Sequence, residues 1–197
     1  MFSRFLRRTH MYLGLALFPW MLMYALSTLA MNHRAMFTAQ YGSGPVPFVI
    51  EREMTYDRLL PHGSDLRTIS TQILASVGLD GAHSASRRQD GAVVITRDDL
   101  RSPRRLTFTP ATRRLVIERT IFRSNAFLER FHRRRGYDTG YGLDTGWAVA
   151  VDLAIAAIVF WVVSGLWMWW EMKATWRLGT AVLTAGAGLF AFFLNMI

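Results

Sequence analysis

The sequence predicts a membrane protein of three transmembrane α-helices carrying a small extracytoplasmic α+β domain. Two runs without a charge, Met11 to Met31 and Leu178 to Ile197, and a third, Trp147 to Trp170, that carries only Asp152 are the first observation. At ~1.5 Å per helical residue, each run of roughly 20 residues crosses the ~30 Å hydrocarbon layer, where a helix satisfies its own backbone. The second observation is the stretch of roughly 115 residues between the first two runs, long enough to form a domain of its own. The third is its patterning, one amphipathic helix followed by short alternating segments.

The first run follows Arg4, Arg7 and Arg8, as a signal peptide would. Its apolar length exceeds the usual 7–15-residue core of such peptides, so it is expected to be an anchor. Between Met31 and about Tyr56 the Gly- and Pro-rich Tyr41–Pro47 reads as an extended linker. Ser64 then offers a cap for a helix whose Leu66, Ile69, Ile73, Leu74 and Val77 share one face, with Gly78 as its stop. The alternating segments Ala82–Arg88, Ala92–Arg97, Arg104–Thr109 and Arg114–Thr120 form an antiparallel meander, turning at Gln89–Gly91 and Pro110–Thr112. One helix on a three-stranded sheet is the expected unit. Phe122–Arg134 reads as a short helix lying along the bilayer surface, with Ser124 near its cap and Phe127, Leu128 and Phe131 as its apolar content. The chain thus divides into 1–34, 35–121, 122–146 and 147–197.

Net charge is +9 and the pI is about 10.9, nearly all from arginine, since Lys173 is the only lysine. With three spans fixing the chain in a bilayer, membrane lipids and acidic protein partners are the expected counter-charges, not nucleic acid. There is no cysteine, hence no disulfide, thiol nucleophile or Cys-ligated metal. Arg4, Arg7, Arg8, Lys173 and Arg177 fall on one side of the bilayer. The positive-inside rule makes that side cytoplasmic, which puts the N-terminus inside and the large loop outside a bacterial-type inner membrane. Catalytic motifs are not found: no nucleophile elbow, no His-Glu-x-x-His, no phosphate-binding loop. Gly179, Ala181, Ala185, Gly186 and Gly188 give the third span a surface suited to close helix contact. Arg133, Arg134 and Arg135 add a cationic contact surface. Two small-residue pairs, Ser27–Thr28 and Ser164–Gly165, are expected to pack spans one and two together.

Several motifs resemble the PepSY superfamily, in particular its PepSY-associated transmembrane proteins. "RRTHMYLGL" and "YALSTLAMNH" are similar to the family's first helix, with His10, Ser27–Thr28 and Asn32–His33 at its characteristic positions. "FLERFHRRRG" resembles the Leu-His element, with Phe131 where Leu is usual and His132 in the His position. "DLAIAAIVFWVVSGLWMWW" resembles the following helix, with Asp152 and Ser164–Gly165. "TFTPATRRLVIE" resembles the last hairpin of a PepSY domain, Pro-Ala-Thr-Gly, with Arg113 in place of Gly. One such unit and three spans fit here, fewer than in the larger reductase members.

A non-catalytic accessory subunit of a larger membrane complex is the function expected. The alternative is a haem b electron-transfer protein for iron or siderophore reduction, which the haem of some reductase members implies. His33 and His132, toward one face of the membrane, would be its axial ligands. His10, about 23 residues from His33 and hence roughly 35 Å away along the helix, could not share that haem. A regulator of an extracytoplasmic peptidase is a third class, implied by other uses of PepSY domains.

Overall fold

The computed structural model describes residues 2–60, 64–134, 136–137 and 140–196. They divide into two compact units, residues 1–21 with 151–197 and residues 22–150. Arg135, one of the expected contact arginines, lies outside the described residues, as does His62.

Three helices are long and apolar enough to cross a membrane: α1 (Phe2–Asn32), α5 (Gly142–Glu171) and α6 (Trp176–Met196, with a 3₁₀ turn Lys173–Thr175 before it). α1 and α5 extend their apolar runs by polar residues at both ends and α6 by Arg177 at its start, as helices that emerge from hydrocarbon do. Within the first unit, α1 and α5 meet through few contacts. Gly14 leaves room for the Trp161 indole, and His10 lies flat on the same ring at 5.0 Å between centroids. At the other end of this contact Ser3 donates to Glu171 at 2.7 Å. The turn into α6 is closed by Trp169. A Cβ at Gly179 would sit 1.8 Å from its Nε1, so this position admits only glycine. Gly179 was expected to serve a docking surface, but the chain's own indole covers it.

The larger unit adds α2 (Arg34–Tyr41), β1 (Phe48–Thr55), α3 (Leu66–Ser76), β2 (His83–Arg87), β3 (Val93–Arg97), β4 (Arg104–Thr109), β5 (Arg114–Thr120) and α4 (Ser124–Arg133). Its sheet has five strands, not three, all antiparallel in the order β1-β5-β4-β3-β2. The four alternating segments are all strands. The additional one is β1, in the stretch expected to be linker, where α2 also forms. A bulge at Glu51, where the register slips between Ile50 and Arg52, breaks the alternation of β1.

One face of the sheet is covered by α3. Ile69, Ile73 and Leu74 pack on Val93, Ile95, Leu106, Phe108, Leu115 and Ile117, which alternate inward along β3, β4 and β5. Asp65, not Ser64, caps α3, its carboxylate accepting from the Thr68 N–H at 3.1 Å. Gly78, at φ +72°, ends the helix as expected, and the next N–H returns to the Leu74 carbonyl at 2.9 Å. In the β4–β5 turn Arg113 adopts φ +53°, the left-handed conformation that glycine takes without penalty.

Candidate functional site

Side chains of helix α4 reach several other segments of the larger unit. It starts after Arg123 and carries basic residues in its last turn, where cations complement the helix dipole. Its apolar side was expected to face lipid. Instead Phe131 meets Trp147 at 5.1 Å between ring centroids and Phe127 meets Phe122 at 5.9 Å. His132 turns back onto α1, its Nδ1 2.7 Å from Ser27 Oγ and its ring edge-on to Tyr24 at 4.9 Å. Protein contacts take up much of the surface assigned to the bilayer.

The opposite flank is ionic. Arg130 donates to the carbonyls of Leu100 and Arg101 at 3.1 and 3.3 Å, and burial lowers its pKa below the ordinary arginine value. Arg134 is paired with Asp144, whose side chain is 5 % exposed, and Arg133 with Glu129 at 3.0 Å. Arg134, expected to be a contact residue, is thus spent on a buried pair inside the chain. Arg130, Arg133 and Glu129, together with Asp98, Asp99 and Asp144, line a cavity of about 390 Å³. Burial raises the pKa of Asp98; the nearby Arg134 opposes this and Asp144 adds to it.

The arginines of the sheet are matched in the same way. Arg104 forms a two-pronged pair with Glu51 at 2.8 and 3.1 Å, and Arg105 with Glu118 at the same two distances. Arg114 pairs with Glu53, and Arg97 with Asp99 at 3.0 Å. Arginines for which acidic protein partners were expected thus have acids within the chain. Two of these acids, Glu51 and Glu53, stand on β1.

Serine and histidine pair three times: Ser27 with His132, Ser164 with His10 at 2.8 Å, and Ser70 with His83 at 2.9 Å. Each serine is buried and lies within 2.9 Å of the carbonyl three residues before it, those of Tyr24, Trp161 and Arg67. A serine hydroxyl has one proton. In the first two pairs it goes either to the helix carbonyl, Nδ1–H of the histidine then donating to the hydroxyl oxygen, or to Nδ1 itself. Either way the pair pins two segments together. His83 is held twice, since its Nδ1 also faces the Gly81 carbonyl at 3.0 Å. Nδ1 then carries a proton, and Ser70 gives its own to either His83 Nε2 or the Arg67 carbonyl.

These pins replace the expected packing of Ser27–Thr28 on Ser164–Gly165. Each serine takes a histidine instead, and a Cβ on Gly165 would lie 3.3 Å from His10 Cε1. A small residue and a hydroxyl together make a seat for an imidazole. His10, too far from His33 to share its haem, is one of the pinned rings.

Of the pair expected for haem b, His132 meets Ser27 and Tyr24. His33, six residues beyond Ser27 and so about 240° further round at ~100° per residue, is exposed at the start of α2 beside Leu26, Leu29, Met36 and Leu128.

The match to known families comes with this geometry in place. The model of the PepSY_TM-like family covers residues 1–197, and the chain belongs to that family. Three helices able to span a bilayer and the family together make it a multi-pass membrane protein. No characterised protein and no solved structure matches it.

Proposed function

We propose that this chain is a non-catalytic interaction subunit of a larger assembly in a bacterial-type inner membrane, with its N-terminus in the cytoplasm and its sheet domain outside. The observation that supports this reading is α6. Every described residue of that helix except Gly179 is exposed, and nothing lies within 4 Å of where a Cβ would stand on Gly186 or Gly188. Ala181 and Ala185 are open on the same helix. Small residues allow the close backbone approach that drives helix association in lipid. Because most sheet arginines already have acids of their own, the docking rests on the bilayer helix more than on charge.

Detergent extraction of the native membrane tests this. The expected result is a complex that persists at high salt, since contacts inside a bilayer are not screened, and that Gly186→Leu releases. A monodisperse monomer with no partner retained at low ionic strength would overturn the reading, and a bis-histidine haem spectrum in that monomer would install electron transfer in its place.

A further inference from the structure

Two cavities adjoin where the charge-free run of α1 ends, and neither has a role in the reading above. The first, about 140 Å³, is polar and lies between α2 and the start of α4. Arg34, Tyr41, Arg123, Asn125 and Glu129 are among its lining residues. The second, about 390 Å³, is almost wholly apolar and is bounded by Leu26, Leu29, Met36 and Leu128. Ala30 and Phe37 line both, so the two are neighbours.

The polar cavity has its acid neutralised and its base left over. Glu129 is engaged by Arg34 at 3.6 Å and by Arg133 at 3.0 Å. Arg123 forms no ion pair among the described residues, and its Nε is buried without a hydrogen-bond partner there. Its guanidinium is steadied over the Tyr41 ring at 5.8 Å, while the Tyr41 hydroxyl is fixed by Ser124 at 3.1 Å. Asn125 Oδ1 is buried and equally unpartnered, an acceptor awaiting a donor. A buried donor on a cation and a buried acceptor side by side each cost free energy until something fills them.

We propose that this paired cavity binds one phospholipid with an anionic, hydroxyl-bearing headgroup. The phosphate takes the N–H groups of Arg123, with Arg34 at the rim, and a headgroup hydroxyl donates to Asn125 Oδ1. An acyl chain lies in the apolar cavity between Leu26, Leu29 and Leu128. The position supports a lipid over a free anion. Arg34 is the first charge after the apolar run that ends at Met31, so the polar pocket falls where headgroups lie and the apolar one where chains begin.

The full-length protein in mild detergent, exposed to equal amounts of phosphatidylglycerol and phosphatidylcholine, is examined by native mass spectrometry. One phosphatidylglycerol is expected to be retained, favoured by about tenfold. Arg123→Gln brings the ratio close to one, whereas Arg88→Gln, at an exposed arginine of the β2–β3 turn, leaves it unchanged. Leu128→Trp, filling the apolar cavity, lowers retention of both lipids. Arg123→Lys keeps the charge and most of the preference, which serves should the glutamine variant misfold. An unchanged ratio in a folded Arg123→Gln protein overturns the proposal. So does displacement of the lipid by inorganic phosphate at comparable concentration, which would mark a site for free anions.

Discussion

Ile73, Ile95, Leu106 and Leu115 in the sheet unit have no solvent exposure at all, while along α6 every described residue but the half-buried Gly179 is exposed, and of the 18-residue windows of α1 and α5 no more than 17 % and 11 % is buried. The same kinds of side chain, leucine, isoleucine and phenylalanine, fill both regions. In the sheet unit they are removed from water by one another, and the stabilisation is proportional to the area they cover. In the helices they are removed from water by the bilayer, which gains nothing further when two helices touch. What holds α1 to α5 is therefore left to close fit and hydrogen bonds: an indole over Gly14 and an imidazole seated on Ser164. The difference is one of solvent, and it says which substitutions each region feels.

The largest effect belongs to the sheet core. Leu106→Ala should destabilise the protein by about 3 kcal/mol through lost burial and a cavity, whereas Leu189→Ala on α6, 59 % exposed, should change the melting temperature little. Equal losses at both positions in thermal unfolding would mean that α6 is packed and not lipid-facing. In the next rank stand the pins. Ser27→Ala and Ser164→Ala each leave a histidine Nδ1 without its hydrogen-bond partner, at a cost of about 1–3 kcal/mol. Both cysteine variants, which keep a weak acceptor, should lose less. Pins that cost nothing when removed would show the histidines to be solvated in the native state.

The core of the sheet unit was legible because period-2 and period-3.6 patterns both survive in it: the inward positions of β3, β4 and β5 and the apolar face of α3 could be read directly. The strand β1 could not. The glycines and prolines of Tyr41–Pro47 run straight into it, and the bulge at Glu51 shifts its alternation midway, so Phe48–Thr55 shows no clean period. That one omission spread. Without β1, Glu51 and Glu53 had no place beside Arg104 and Arg114, and the sheet looked like an arginine surface in search of partners. The three spans were plain from length and charge. Their pins were not, because His10 and Ser164 lie 154 residues apart in sequence. A signal was present all the same: a polar residue inside an apolar helix needs a partner, and His10, Ser27 and Ser164 were three such residues. Asp98 and Asp144 come together beside Arg134 although they are far apart in sequence, which no periodicity reports.

Arg113 offers a smaller test on the sheet side. Its left-handed conformation costs a residue with a Cβ about 1 kcal/mol, and its only ion pair among the described residues, to Asp57 at 3.9 Å, is exposed on both sides. Arg113→Gly should therefore stabilise the protein by about 0.5 kcal/mol, after the greater freedom of glycine in the unfolded chain is set against the relieved strain. A loss of stability on calorimetry would show that the Asp57 contact or the Arg113 backbone bond to Tyr56 carries more than its geometry suggests.

Two carboxylates of the sheet unit give the smallest effects, and of opposite sign. Hydrogen bonding to Arg104 holds Glu51 below the ordinary glutamate value of 4.5, so its contribution to stability is present above that value and is lost as the pH falls through the lower folded one. Burial holds Asp98 above the ordinary aspartate value of 3.8. The folded state then binds the proton more tightly than the unfolded chain, and stability declines as the pH rises from 3.8 through the raised value. Glu51→Gln should accordingly lower the melting temperature at neutral pH, with the deficit closing only in strong acid. Asp98→Asn should raise it by about 2 °C at neutral pH, an advantage that fades as the pH drops toward 3.8 and the native aspartate becomes neutral too. Melting curves of the three proteins between neutral pH and strong acid separate the cases. If Asp98→Asn destabilises at neutral pH, its carboxylate is held by Arg134 and not penalised by burial, and the charged cavity beside α4 is a second ion-pair site like the one at β1.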